Sequence, residues 1–418
     1  MKVRLDELNK QADAMCVMGE QLAALRLYCE ILQLAPKAGS VRLAIADCLA
    51  ACGERAAAAE VYAAVSDFCI DGGWPLLAVV ALRALEAGGA DIEERLQRLA
   101  LAYEKGSNRV GQVGGRTNAR LDTLNVDDRI LKKKQRVEEL YARAREVGSD
   151  LSAAGPLPTT FPPAPILGEL SAETLKDAYR SLKVLRFPHQ HRIFAAGDPS
   201  DSCYLVANGA VHIYAEDETG NERKLAELAS GNIFGEMGVV TGARRSASAT
   251  VVKAADVLQF GTAALGAMGD ELPRLAPTLD KLAQGRQLNN LLEQSVMFRS
   301  FDKKQRQDLL KRFTAYDVAP KTVIFDAGQH SKGIFLILRG EVSLCWQDTD
   351  PEHAAEHVAS GFMLGVNSVI NAQPARATAT TMTQSTLLFL SGKAVLRLAD
   401  AFPQFKKLLE EVASRRGK

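Results

Sequence analysis

Phe234 to Val251 reads FGEMGVVTGARRSASATV, and Leu364 to Thr381 reads LGVNSVINAQPARATATT. These two stretches sit at the same place in a tandem duplication. Ile166 pairs with Met297, Phe194 with Phe325, Gly197 with Gly328 and Gly209 with Gly340, each at an offset of 131 residues. Between those marks CYLVANGAVHIY in the first copy answers to IFLILRGEVSLC in the second. Alternating apolar and β-branched residues with a Gly where the chain turns back predict a hairpin of a small antiparallel barrel. Gly231 and Gly361 are offset by 130, and the reading that pairs Arg245 with Arg376 returns to 131, which needs a deletion before the glycine and an insertion after it.

The form of the first stretch, FGE followed by a helix-length run and then an RSA triplet before a strand, resembles the cyclic-nucleotide-binding domain of catabolite activator proteins and of regulatory subunits of protein kinase A. The resemblance covers residues 166 to about 396, twice over. It implies a ligand site at Phe234, Gly235, Glu236, Met237, Gly238, Arg245, Ser246 and Ala247. A cyclic nucleotide carries one negative phosphate beside a ribose 2′-hydroxyl, so its receptor needs a cation and an acceptor close together. By the resemblance Glu236 accepts from the 2′-hydroxyl and Arg245 pairs with the phosphate through charge-assisted hydrogen bonds. Gly235 lets backbone approach the sugar, and a short helix over residues 237–241 aims unpaired N–H groups at the anion. Ser246 is a further donor to phosphate or base, and Arg244 is the competing arginine. In the second copy Val366 replaces the ribose glutamate, so Gly365, Arg376 and Ala377 are what remains of a degenerate second site. The helical stretch Leu272 to Gln294 resembles the family's mobile hinge and lid helices.

Upstream, residues 1–105 are rich in Ala, Leu, Glu and Arg with helical apolar spacing. Ala12, Gly19, Ala24 and Tyr28 recur 34 residues later as Ala46, Gly53, Ala58 and Tyr62, and Pro36 closes the first unit. Small residues let paired helices approach closely, Gly breaks the chain between them and Tyr fills the groove against the next unit. This resembles the tetratricopeptide repeat over residues 5–72, and it predicts a surface for a protein partner or self-association. A third helix pair, Pro75 to Ala87 and Asp91 to Glu104, follows without the signature. Gly106 to Arg120 reads as a flexible loop, Asp128 to Val147 as an exposed helix of alternating charge, and the five prolines from Pro156 to Pro165 as a linker. The expected fold is multidomain: an all-α, tetratricopeptide-like helical repeat domain (1–105), a linker (106–165), and two α+β cyclic-nucleotide-binding domains, antiparallel β-roll (jelly-roll) barrels with flanking helices (166–294 and 295–418).

Lys plus Arg total 51 against 50 for Asp plus Glu, so no global field draws nucleic acid or an anionic membrane. The seven cysteines form no CxxC pair, and most lie in alanine-rich helical sequence, which predicts small buried hydrophobes in a reducing, cytoplasmic setting. The N-terminus has no apolar leader core, and no window approaches the ~20 apolar residues of a membrane span. His189 with His191, and His353 with His357, offer no third metal ligand. There is no P-loop, HExxH or connected Ser/His/Asp set, so no metal, cofactor or enzyme activity is expected. After the second barrel only about twenty residues remain, too few for a DNA-reading helix-turn-helix. The expectation is a cytoplasmic cyclic-nucleotide receptor, cAMP favoured over cGMP, that binds ligand in the first barrel and signals to a protein partner through the helical repeats, with homo-oligomerisation left open. The alternative is a ligand-free scaffold with both barrels degenerate.

Overall fold

The computed structural model describes residues 2–111, 115–117, 119–127, 135–162, 167–216, 222–236, 244–261, 301, 305, 309, 312–346 and 355–415. They fall into two compact units, Met1–Asp280 and Lys281–Lys418. The expected lid helices over 272–294, and Met237 and Gly238, lie outside the described residues.

The first unit opens with β1 (Lys2–Arg4) and the helices α1 (Leu5–Val17), α2 (Gln21–Leu34), α3 (Gly39–Ala51), α4 (Arg55–Gly72), α5 (Pro75–Ala87) and α6 (Glu93–Tyr103), each packed on the next. The repeated alanines Ala12, Ala24, Ala46 and Ala58 are all buried, which allows the helices to close on one another. Each repeat also carries a hydrogen bond that the sequence reading missed. Tyr28 donates to Asp13 at 2.7 Å, and 34 residues on Tyr62 donates to Asp47 at 2.6 Å. A buried phenol needs such a partner, so Asp13 and Asp47 belong to the repeat as much as the tyrosines do.

The described parts of the stretch expected as loop, exposed helix and linker pack on the helical module. Strand β2 (Asn125–Asp127) pairs antiparallel with β1. Helix α7 (Val137–Ser149) lays Leu140, Ala144 and Gly148 against α2, α3 and α4. Those residues recur every fourth position, a buried stripe hidden among the charges of the helix. Beyond it Phe161 is fully buried, its ring stacked 5.1 Å from Tyr103 and covered by the Arg109 guanidinium at 4.6 Å. At Gly148 a Cβ would lie 2.7 Å from a Val61 methyl carbon. Gly148→Val should therefore lower stability by about 1–3 kcal/mol through overpacking, read as a fall in the urea midpoint.

Helix α8 (Ala172–Ser181), whose N-terminal Thr174 N–H is accepted by Ser171 Oγ, leads into the first barrel. Its strands are β3 (Lys183–Phe187), β4 (Arg192–Phe194), β5 (Ser202–Glu216), β6 (Glu222–Ala229), β7 (Ile233–Phe234) and β8 (Ser248–Gly261), ordered β3–β8–β5–β6, with β4 on β8 and β7 on β5. Alternate residues of the long strands, among them Val206, Val211, Ala249, Val251 and Val257, fill the interior. The barrel docks on the helical module within the same unit. Arg186 of β3 reaches Asp47 of α3 at 2.7 Å and Asp256 of β8 at 3.2 Å, and α8 packs on α6, where Lys176 and Arg180 share Glu93. Burial pushes the Asp256 carboxyl above its ordinary value, and the Arg186 guanidinium opposes that shift.

The second unit repeats the strand plan. It comprises β9 (Thr314–Val318), β10 (Val323–Phe325), β11 (Gly333–Arg339), β12 (Val342–Trp346), β13 (Ala355–Val358), β14 (Met363–Leu364), α9 (Val366–Ile370), β15 (Ala377–Thr381), β16 (Ser385–Ser391), α10 (Gly392–Ala401) and α11 (Pro403–Arg415). The sheets run β10–β15–β12–β13 and β14–β11–β16–β9. Phe405 and Leu409 of α11 are buried with Val366, Val395 and Leu398 against the second of these.

Candidate functional site

In the first barrel β7 delivers the FGE triplet. Tyr204 of β5 pairs with Phe234, whose ring stacks 5.1 Å from that of Tyr204 and lies 6.0 Å from that of Phe194. The chain then turns at Gly235, φ +75°, where a Cβ would sit 2.6 Å from Arg245 Nη1. Only glycine meets both demands, a left-handed backbone and the close approach of a guanidinium. Glu236 follows and is buried, 1% exposed.

Arg245 arrives from the other side, just before β8. Its backbone is pinned at both ends: Gly197 N–H donates to Arg245 O at 2.8 Å, and Arg245 N–H donates to Asp198 O at 2.9 Å. The side chain is 6% exposed. Nη1 donates to Gly235 O at 2.8 Å and Nη2 to Ser202 Oγ at 3.4 Å, while the guanidinium carbon lies 4.3 Å from the Phe194 ring centre and 5.5 Å from that of Tyr204. Among the described residues its buried Nε–H has no hydrogen-bond acceptor. Ser202 in turn accepts from Gln259 Nε2 at 3.1 Å.

The carboxylate and the guanidinium act on a common neighbour. Burial, with the Glu236 charge adding to it, pushes the Cys203 thiol up to about 12, and Arg245 pulls the other way. The buried Arg245 guanidinium thus meets the Gly235 turn over an aromatic floor, and the buried Glu236 is the next residue of that turn. Ala247 is buried beside them, whereas Ser246 is exposed. Arg244 is also exposed and donates outward to Gly197 O at 2.8 Å, which separates the two arginines. Ser202, Gln259 and the Phe194–Tyr204 ring pair escaped the sequence reading because they lie outside the FGE–RSA stretch.

The second barrel corrects the pairing of Arg245 with Arg376. Gly328 N–H donates to Ala375 O at 2.7 Å, and Ala375 N–H donates to Gln329 O at 2.8 Å, so Ala375 stands where Arg245 stands in the first copy. Strand pairing agrees, since Phe194 faces Ala249 and Phe325 faces Ala379. The offset stays at 130 after Gly361, without the later insertion that the sequence reading supposed, and Arg376 answers to Ser246. Like Ser246 it is exposed. The signal was available, because the two quoted stretches have equal length and overlay without a gap. Gly365, Arg376 and Ala377 nevertheless line one pocket.

His189 and His191 are exposed, and the His191 ring stacks 4.7 Å from Phe187. His357 is exposed and His353 lies outside the described residues. Among the described residues no cluster of three or more His, Cys, Asp or Glu could hold an ion. All seven cysteines are free. No helix among the described residues is long and apolar enough to cross a membrane.

Against known proteins, residues 184–271 and 317–402 each match the cyclic nucleotide-binding domain family. The chain is 33% identical over 119 residues to the cyclic AMP receptor protein of Thermus thermophilus, a stretch that covers 28% of this chain and 55% of that one. It is 25% identical over 195 residues to the cAMP-dependent protein kinase regulatory subunit of Dictyostelium discoideum, covering 46% of this chain and 57% of the other. The chain therefore spans about half the length of these curated relatives. Among solved structures, the regulatory domain of Toxoplasma gondii protein kinase A with cAMP aligns at 18% identity and a TM-score of 0.28, over 60% of this chain and 92% of that one.

Proposed function

The chain carries two domains of the cyclic nucleotide-binding family, and from that premise we propose that it is a cyclic-nucleotide receptor with one nucleotide site, in the first barrel. The reading rests on the buried Arg245 guanidinium, held over two aromatic rings with an unsatisfied Nε–H among the described residues and a buried carboxylate, Glu236, close by. An orphaned buried donor is costly unless a partner arrives, and an exocyclic phosphate is such a partner. Glu236 takes the ribose 2′-hydroxyl, Arg245 the phosphate, and Gly235 and Ala247 the close backbone approach; Phe234, Met237, Gly238 and Ser246 complete the expected contacts. cAMP is the favoured ligand over cGMP.

The receptor works by population shift rather than by catalysis, and ligand favours the conformation in which Arg245 is closed on it. The helical repeats, tetratricopeptide-like in their spacing, present a protein partner with the signal. The Arg186 contacts with Asp47 and Asp256 give barrel one a direct mechanical link to them. The working modules are residues 1–105 with the described parts of 106–165 packed on them, then 166–294 and 295–418, in a cytoplasmic protein. A thermal-shift assay tests the ligand. cAMP at about a hundred times its dissociation constant should add ~2.7 kcal/mol of stability. An unchanged melting curve with both cAMP and cGMP would leave the chain a ligand-free scaffold.

A further inference from the structure

Cys16 and Cys48 come from different repeats and meet sulfur to sulfur. Their Sγ atoms lie 3.5 Å apart, although 32 residues separate them in the chain. Cys16 stands in the last turn of α1, three residues after Asp13, and Cys48 in α3, next to Asp47. Of the seven cysteines, all free, these two alone make a sulfur–sulfur contact among the described residues. The 34-residue period does not place them at equivalent positions, so the contact comes from the packing of α1 and α3 on α2 and not from the repeat pattern.

The two thiols are unequal. Cys16 is half-buried and open to a small oxidant, whereas Cys48 is 1% exposed. The Tyr28 hydroxyl directs its one proton to Asp13, so toward Cys16, 3.7 Å away, it can only accept. The proton left to join the two sulfurs is that of Cys48, donated to Cys16 Sγ. This donation holds the Cys16 thiol below its ordinary value, against burial and the Asp13 and Asp47 charges, and raises the Cys48 thiol. Elsewhere burial pushes the Cys29 and Cys203 thiols up to about 12, and Cys69 up as well. Cys345 is exposed, and Cys52 lies one turn beyond Cys48 at the end of α3.

We propose that Cys16 and Cys48 are a modification site, which hydrogen peroxide converts into a reversible disulfide that clamps the first repeat to the second. The Cys16 thiolate attacks one peroxide oxygen; the S–O bond forms as the O–O bond breaks, and the hydroxide released takes up a proton as water. Cys48 then attacks the Cys16 sulfur; the S–S bond forms as the S–O bond breaks, and the departing hydroxide leaves as water with the Cys48 proton. The two thiols lose two electrons and the peroxide gains them. Sulfurs already at 3.5 Å need roughly 1.5 Å of further approach. A disulfide of this kind in a reducing compartment is a transient, sensing one. The clamp falls beside Asp47, which holds Tyr62 and receives Arg186 of barrel one, so it stiffens the repeats where the barrel docks. The bridge forms whether or not either barrel holds a nucleotide.

Hydrogen peroxide added to the whole chain in a Cys52→Ser background, followed by N-ethylmaleimide, tryptic digestion and mass spectrometry, tests it. Removing Cys52 leaves Cys48 as the only cysteine of its tryptic peptide, residues 43–55. The peptide carrying Cys16 should be joined to that one, and dithiothreitol should separate them. Cys16 should react about tenfold faster than the exposed Cys345. Cys48→Ser should leave Cys16 as a sulfenic acid that dimedone captures, and Cys16→Ser should leave Cys48 unoxidised. The oxidised chain should unfold at a higher urea concentration than the reduced one, and Cys345→Ser should not alter that gain. If a serine variant does not fold, peptide mapping of the unaltered chain, with fragmentation to tell Cys48 from Cys52, carries the test. Cys16 still alkylated at a peroxide dose that oxidises Cys345 would overturn the proposal. So would a bridge from Cys16 to Cys52, or one that forms between two copies of the chain.

Discussion

Arg245→Ala should weaken cAMP binding by about thirty- to four-thousandfold, measured by equilibrium dialysis with labelled nucleotide at fixed salt. The guanidinium is almost wholly buried, and its two terminal nitrogens are already committed to Gly235 O and Ser202 Oγ. A phosphate entering beside it gains charge-assisted hydrogen bonds where water cannot compete. Removing one partner of such a buried pair costs about 2–5 kcal/mol, because the other charge is left desolvated and unpaired. At about 1.4 kcal/mol per decade, this becomes the stated loss of affinity. Arg244→Ala should change affinity by no more than about threefold, since that side chain is exposed and bonded outward to Gly197 O. Arg245→Lys should fall between, keeping the charge without the planar fork. Equal effects of the two alanine variants would mean that the phosphate sits elsewhere.

The second large effect is on stability. Arg42 of α3 is fully buried, and its terminal nitrogens are paired with backbone alone: Nη1 donates to Val147 O at 3.1 Å, Gly148 O at 2.5 Å and Asp150 O at 2.9 Å, and Nη2 to Pro36 O at 3.1 Å. Three of those carbonyls belong to the C-terminal end of α7, where the helix leaves its acceptors unpaired and its dipole is negative. Burial lowers the Arg42 pKa to about 10, so the side chain stays charged at neutral pH. Arg42→Ala strands those carbonyls in the interior and opens a cavity beside Phe68. The expected cost is about 3–5 kcal/mol, read as a lower urea midpoint and as faster proteolytic cleavage within residues 106–165. Arg145→Ala, which removes an exposed pair with Glu60 on the same helix, should cost less than about 1 kcal/mol. Comparable losses for the two would mean that α7 is not anchored through Arg42.

These two arginines mark the boundary of what the sequence reveals. Arg245 was legible because a glycine, a glutamate and an arginine at fixed spacing before a strand form a local pattern. Arg42 was not, because three of its four partners lie more than a hundred residues away and nothing in GSVRLAIADCLAA distinguishes a buried arginine from a surface one. For the same reason α7 read as an exposed charged helix. Leu140, Ala144 and Gly148 are two small residues and one leucine, a weak stripe beside Arg143 and Arg145, whose pairing with Glu30 and Glu60 appears only after folding. The 34-residue period disclosed the tyrosines through their size, while Asp13 and Asp47, which share the period, are tied to them only by hydrogen bonds seen in the fold. In the second barrel the attraction of matching arginine to arginine outweighed the simpler ungapped overlay. Backbone hydrogen bonds at Ala375 decide the register, and with it the loss of both polar anchors from that copy.

Those anchors define the central claim, that one of the two barrels can hold a cyclic nucleotide. Calorimetric titration of the whole chain with cAMP tests it most directly, through stoichiometry rather than affinity. The account predicts one nucleotide per chain, abolished by Arg245→Ala and untouched by Arg376→Ala. Two nucleotides per chain, or one that survives the loss of Arg245, would contradict it.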